Sequence, residues 1–206
     1  THTDSSAASD VYKRQGRMIF VFLQKNMART PSNMLPLGTK SPSFELLDTV
    51  SGLTLSLDQI HGKEGTVVMF ICNHCPFVKH IFTGITDLAN DYLDKGFAFV
   101  AISSNDVENY PDDAPELMTK VAAEQNFPFP YLYDESQEVA RAYDAACTPD
   151  FYIFDSNKAL VYRGQLDDSR PENGIPVTGK DMRSALDAIT NQKVISRLQK
   201  PSIGCN

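Results

Sequence analysis

The chain has no tryptophan, and basic residues are in short supply: 19 Lys and Arg against 26 Asp and Glu, a formal net charge of −7 over 206 residues. With so few positive charges and no basic stripe, the sequence excludes nucleic-acid binding by phosphate neutralisation. No apolar run approaches the ~20 residues needed to span a membrane. "MIFVFL" at Met18 to Leu23 is short, lacks a small-residue cleavage site behind it and runs into polar "QKN", so it does not read as a signal peptide. A cytoplasmic location and no membrane partner are therefore expected. Cysteine is scarce as well. Four in the whole chain cannot make the dense disulfide scaffold of a small secreted domain.

The N-terminus is unlike the rest. "SSAASDVYKRQ" (residues 5–15) is polar and without period, and it translates a common transposase sequencing adapter codon for codon. Residues 1–26 are accordingly expected to be a non-native or disordered leader, with the natural start at Met18, Met27 or Met34, Met27 being preferred. Residues 27–206 are expected to form a single domain, truncated at its C-terminus.

From Leu35 the pattern is regular. Phe44 to Asp48 and Leu53 to Leu57 read as short strands split by a Ser-Gly turn. Thr66 to Cys72 is apolar on both faces, as a central strand should be. Val78, Ile81, Ile85, Leu88 and Tyr92 then recur at helical steps, closed by Gly96. Phe97 to Ser103 reads as a second buried strand, and "DDAPELMTKVAAEQ" as a helix with Asp113 as N-cap and Pro115 in its first turn. A short helix "SQEVARAYDA", a strand Thr148 to Asp155, a hairpin to Ala159–Gln165 and a final helix "GKDMRSALDAIT" complete one α/β domain with helices on both faces of its sheet.

Chemistry is concentrated in "FICNHCPFVKH", Phe70 to His80. Placed where a buried strand passes into a helix, Cys72 is expected at a helix start, where free N–H groups lower a thiol pKa. Cys75 lies about one turn on, within reach of a Cys72–Cys75 disulfide. Two ordinary buried cysteines would be the plainest alternative. A metal site of Cys72, His74, Cys75 and His80 is the sharper rival. At about 100° per residue on a helix, His74 faces about 200° from Cys72 and His80 about 140° from Cys75, which does not converge on a tetrahedron. No bound metal is expected.

The C-x-x-C at the end of a central strand, followed by "CTPD" opening the next strand pair, resembles the thioredoxin fold. "SSNDVENYPDDAPELM" is similar to the redoxin branch, the alkyl hydroperoxide reductase and thiol-specific antioxidant superfamily. Together with "FPFPYLYDESQEVARAY", "YRGQLDDSRP" and "PSIGCN", these motifs resemble a bacterial, peroxiredoxin-like group of thioredoxin-family proteins over residues 27–206. The resemblance implies a three-layer α/β/α fold with a mixed central sheet and an N-terminal strand extension. It implies Cys72 as attacking thiol, Cys75 as resolving thiol, and Pro149, after Thr148, as a cis-proline binding substrate backbone. The implied activity is disulfide exchange with protein or small thiols, with a thioredoxin- or glutathione-type reductant and no cofactor beyond the redox disulfide.

Two departures bear on the reaction. Ile71 stands where thioredoxins have tryptophan, and "TVVMFI" lacks their buried acid, so the proton acceptor for Cys75 has no candidate. The peroxiredoxin signature P-x-x-x-T-x-x-C is not met either: aligned on Cys75, it puts Val68 and Cys72 at the Pro and Thr positions. Dithiol exchange is thus the leading expectation. A thiol peroxidase using Cys75 or Cys72 is the alternative, and a metal-binding module through Cys72, Cys75 and histidines is the reading of another class. Asn73 and His74 are expected to tune Cys72. A histidine next to the second cysteine, as in the "CPHC" of strongly oxidising enzymes, predicts a lowered Cys72 pKa and an oxidising dithiol. Cys147 and Cys205 are candidate accessory thiols. Asp167, Asp168 and Arg170 read as a solvated turn that could line the substrate edge, and His61 has no evident partner.

Overall fold

In a computed structural model, residues 29–206 are described. The expected leader, residues 1–26 with the adapter-like residues 5–15, lies outside them, as does the preferred start Met27. A central sheet takes the order β3-β2-β6-β5-β4-β7-β8. Its strands are β2 (Glu45–Asp48), β3 (Thr54–Ser56), β4 (Gly65–Phe70), β5 (Phe97–Ser103), β6 (Tyr131–Tyr133), β7 (Asp150–Asp155) and β8 (Leu160–Gly164). β4, β5 and β6 run parallel, while β7 returns antiparallel on the other side of β4 and pairs with β8. In a separate two-stranded ribbon, β1 (Arg29–Pro31) pairs antiparallel with β9 (Ile203–Cys205).

The alternation of side chains explains why the middle of the sheet is covered on both sides. Val67 and Met69 of β4, Phe99 and Ala101 of β5, and Phe151 and Ile153 of β7 face one core. Their neighbours Val68 and Phe70, Val100 and Ile102, and Tyr152 and Phe154 face the other. The first core is closed by helix α2 (Pro76–Leu93) through Val78, Ile81, Ile85 and Leu88, and by α5 (Lys180–Thr190) through Met182 and Leu186. The second receives Leu57 of α1 (Leu57–Ile60) and Val139 of α4 (Glu138–Ala142). Each such buried aliphatic side chain contributes about 1.5–3 kcal/mol. This is the expected mixed-sheet, thioredoxin-like architecture.

Several boundaries differ from the expectation, each for a local reason. Leu57 continues an apolar alternation but belongs to α1, because Ser56 and Gln59 form a reciprocal capping box that starts a helix there. The helix expected near Cys72 begins only at Pro76 with Cys75 as N-cap, the position proline favours because its missing N–H would be unpaired there anyway. Helix α3 (Pro115–Glu124) has Ala114 as N-cap and no side-chain cap. Asp113, expected to cap it, ends a 3₁₀ turn (Pro111–Asp113) and is turned into the protein. Gly96 ends α2 as expected, at φ +89, in the left-handed region where glycine is unstrained.

Candidate active site

Beyond β4, Ile71 still donates its N–H to Ile102 O at 3.0 Å, so the loop Cys72–Cys75 leaves the sheet from a fixed direction. One buried carboxylate holds the loop's shape. Asp113 Oδ1 accepts the N–H groups of Asn73 (2.7 Å) and His74 (3.1 Å). Its Oδ2 lies 2.6 Å from His74 Nδ1 and accepts Asn105 Nδ2 at 2.7 Å. The Asn73 side chain donates to Asp112 O (2.9 Å) and accepts Tyr131 OH (3.1 Å). His74 also stacks flat on Tyr110, with ring centroids 4.9 Å apart. A fully buried carboxylate needs about this many donors to offset its lost hydration. Sequence reasoning missed Asp113 because Asp-Asp-Ala-Pro mimics a helix cap; its partners Asn73 and His74 lie 40 and 39 residues away.

The other side of the loop faces the segment before β7. Thr148–Pro149 is a cis peptide bond, in keeping with the expected cis-proline. Cys72 Sγ lies 3.3 Å from Thr148 Oγ1, and Cys75 Sγ lies 3.2 Å from the Thr148 carbonyl. Both sulfurs therefore meet at one residue. Cys72 is a free, fully buried thiol. Cys75 is disulfide-bonded, not to Cys72 as expected but to Cys205, with Cα atoms 6.3 Å apart. The spacing of Cys72 and Cys75 permitted a disulfide between them; it carried no information about a cysteine brought in by β9 from 130 residues away.

The electrostatics also depart from the expectation. Burial pushes the Cys72 thiol up to about 11, and the Asp113 charge adds to the rise. The Thr148 hydroxyl and the N–H groups of Cys75 and His74 pull the other way without prevailing. The expected lowering of the Cys72 pKa is thus not what this state has. Helix α2 starts too late for its N-terminus to sit on Cys72, and the His74 ring is paired with Asp113. Cys147 is buried, its thiol 3.7 Å from Pro149 O, and burial together with the Asp150 charge raises its pKa. Its bonds are to Pro149 O and the Gly204 N–H, and it lines a cleft together with Thr148 and Cys205.

The nominal metal set does not assemble. His80 Nε2 lies 2.7 Å from Ser169 Oγ, and Cys75 is in its disulfide. Cys72, His74 and Asp113 do bring one donor atom each within 4.8 Å of one another. Both oxygens of that carboxylate are already occupied by N–H donors and the His74 ring.

Two further residues were misread. Asp167 is buried and accepts N–H groups from Ser169, Thr178 and Gly179, shaping the turn before α5 instead of standing in solvent. His61 has partners after all, Thr66 Oγ1 at 2.9 Å and Ser156 O at 3.2 Å. Asp168 is paired with Lys200, and Arg170 donates to Asp167 O, Ser169 O and Gln165 Oε1. Among the described residues, no helix is long and apolar enough to cross a membrane.

Known structures share the overall fold. An uncharacterised conserved protein from Geobacillus kaustophilus is 60% identical, with a TM-score of 0.85 over 87% of this chain and 95% of that one. A hypothetical protein from Sinorhizobium meliloti 1021 is 45% identical, with a TM-score of 0.84 over 86% and 96%. The thioredoxin domain of a thiol-disulfide oxidoreductase from Bacteroides vulgatus shares the fold at 17% identity, with a TM-score of 0.57 over 74% and 99%. No curated protein matches the chain. The AhpC/TSA family pattern matches residues 37–163, the stretch that holds β2 to β8 with the Cys72 loop and the cis-proline segment between them. By that match the chain belongs to the AhpC/TSA family.

Proposed function

We propose that the protein is a thiol-disulfide oxidoreductase in which Cys72 is the nucleophile and Cys75 the resolving thiol. The observation that carries this reading is the meeting of both sulfurs at Thr148, at 3.3 and 3.2 Å, beside cis-Pro149. In the reduced protein the Cys72 thiolate attacks one sulfur of a substrate disulfide, and the other sulfur leaves as a thiolate. The Cys75 thiolate then attacks Cys72 Sγ, the mixed disulfide breaks, and the second substrate thiol departs. The protein retains a Cys72–Cys75 disulfide, which an external thioredoxin- or glutathione-type thiol reduces. Three donors, the Thr148 hydroxyl and the N–H groups of His74 and Cys75, stabilise the Cys72 thiolate. Asp113 opposes it while keeping the loop in shape. The substrates are protein or small-molecule disulfides, and the setting is cytoplasmic, where such reductants are available.

The Cys75–Cys205 disulfide favours a second reading, a thiol peroxidase. There Cys75 attacks a hydroperoxide to give a sulfenic acid and an alcohol, and Cys205 condenses with the sulfenic acid, releasing water. One preparation separates the readings: reduction of a model disulfide and consumption of hydroperoxide, each with and without a chelator. Disulfide turnover lost in both Cys72→Ser and Cys75→Ser supports the first. Peroxide turnover that survives Cys72→Ser but needs Cys75 and Cys205 supports the second. Activity gained on chelation, with stoichiometric zinc released, would favour metal binding at Cys72, His74 and Asp113.

A further inference from the structure

The C-terminal strand does more than pair with β1. Cys205 O accepts the Thr148 N–H at 2.8 Å and Cys205 N donates to Thr148 O at 3.0 Å, a closed antiparallel pair next to Pro149. Ser202 Oγ donates to Pro149 O at 2.6 Å, and Gln165 N donates to Lys200 O at 3.0 Å. Two glycines make this close approach feasible. A Cβ on Gly204 would stand 2.0 Å from Thr148 O, and one on Gly164 would stand 2.1 Å from Lys200 O. The segment is therefore fitted to this seat along its length. It fills the backbone position expected for a substrate strand beside the cis-proline, and it delivers a sulfur to Cys75.

A free thiol stands ready beside that disulfide. Cys72 Sγ receives the Cys75 N–H and shares Thr148 with Cys75 Sγ. A structural staple needs no such neighbour. A disulfide with a thiol at hand is one exchange step from a second pairing.

We propose that Cys205 is a third redox-active thiol, carried by a tail that docks as the site's own intramolecular substrate strand, and that Cys75 alternates between Cys205 and Cys72. In the exchange the Cys72 thiolate attacks Cys75 Sγ. The Cys75–Cys205 bond breaks, the Cys72–Cys75 bond forms, and Cys205 leaves as a thiolate that takes up the proton Cys72 gave. No electrons are gained or lost. Gly204 is the positioning residue, since only glycine lets Cys205 reach Cys75 along the Thr148 edge. While Cys205 is bonded, the strand occupies the edge and Cys72 is buried; when Cys205 is released, both are open to an external disulfide. The proposal rests on the dithiol reading of Cys72 and Cys75.

The test uses the full chain as wild type, Cys72→Ser, Cys205→Ser and the double variant Cys72→Ser/Gly204→Val, each checked for folding by far-ultraviolet circular dichroism and melting. Reduced protein is oxidised with one equivalent of diamide, quenched in acid, alkylated and mapped by peptide mass spectrometry. Cys72→Ser should give Cys75–Cys205 as its main disulfide, and wild type should give both Cys75 pairings. Adding Gly204→Val to Cys72→Ser should reduce the Cys75–Cys205 yield by about tenfold, although Cys75 and Cys205 are intact. In Cys205→Ser kept reduced, Cys72 should alkylate about tenfold faster than in the Cys75–Cys205 form of wild type. Absence of the cross-link in folded Cys72→Ser, or a wild type that holds Cys75–Cys205 and never Cys72–Cys75, overturns the proposal. So does an undiminished cross-link with Gly204→Val. If Cys72→Ser still turns over a model disulfide at the wild-type rate, the dithiol reading fails, whatever the mapping gives. If turnover needs Cys72 and Cys75 but the cross-link never forms, the tail proposal fails alone.

Discussion

The Cys72–Cys75 loop is gripped from two sides that differ in kind. Toward the segment 105–113, the grip is one buried carboxylate with short bonds to two backbone N–H groups, an imidazole and an amide. None of these groups is itself redox-active. Toward Thr148 and β9, the grip is backbone pairing, one serine hydroxyl and a disulfide, and the disulfide is chemically erasable. One side thus sets geometry, and the other can be dismissed by reduction. A redox site needs both, because a loop free on both sides would lose the alignment of its sulfurs, and a loop fixed on both would admit no partner.

The sharpest way to break this contrast is to remove Asp113. Asp113→Ala strands four donors in the interior and should cost about 3 kcal/mol or more, read as a fall in melting temperature of roughly 10 °C. On the tail side, Ser202→Ala removes one hydroxyl bond and should cost only about 1 kcal/mol. Equal losses in the two variants would erase the distinction.

The charge itself can be tested apart from the fold. In the Cys75–Cys205 form, alkylation of Cys72 should keep rising about tenfold per pH unit from pH 7 to 9, because the thiol sits near pKa 11. A plateau by pH 8 would contradict this. Asp113→Asn, if folded, should shift the alkylation profile to lower pH, since the carboxylate raises the Cys72 pKa. His74→Ala should move it less than Asp113→Asn, because the ring bonds to Asp113 while only the His74 backbone N–H reaches the sulfur.

Behind the tail side lies a second buried acid. Burial raises Asp150 from 3.8 to about 7, against hydrogen bonds from Ser32 and Tyr152. Between those values the folded protein holds a proton that the unfolded chain has released. Its contribution to stability therefore falls as pH rises from about 4 to 7, by up to about 1.4 kcal/mol per unit, and is flat beyond. Denaturation midpoints across that range should slope less in Asp150→Asn. A parallel slope would assign the effect to other groups. The smallest effect is expected at the chain start: deleting residues 1–15 should leave melting temperature and thiol reactivity unchanged, and a loss of several degrees would contradict the adapter reading.

The sequence made the sheet legible because β4, β5 and β7 are apolar on both faces, a pattern that burial alone explains. It marked Cys72, Cys75 and Pro149 because few residue types can do their chemistry. What it hid was whatever depends on long-range approach. Asp113 carries a capping residue's local signature but spends its carboxylate on another loop. Cys205 looks like a stray thiol until β9 is seated. The late start of α2 was readable and was missed, since Pro76 is a stronger signal for the first helical position than the end of an apolar run is for Cys72.

Thr148 also limits what mutagenesis can reveal. Its hydroxyl meets Cys72, its carbonyl meets Cys75 and the N–H of Cys205, and its own N–H meets the carbonyl of Cys205. Replacement by alanine deletes the first of these and leaves the rest in place. An alanine scan would therefore read only the hydroxyl's share, although three cysteines converge on Thr148. Its full weight would be visible only to a change in the main chain itself, such as an ester in place of the amide.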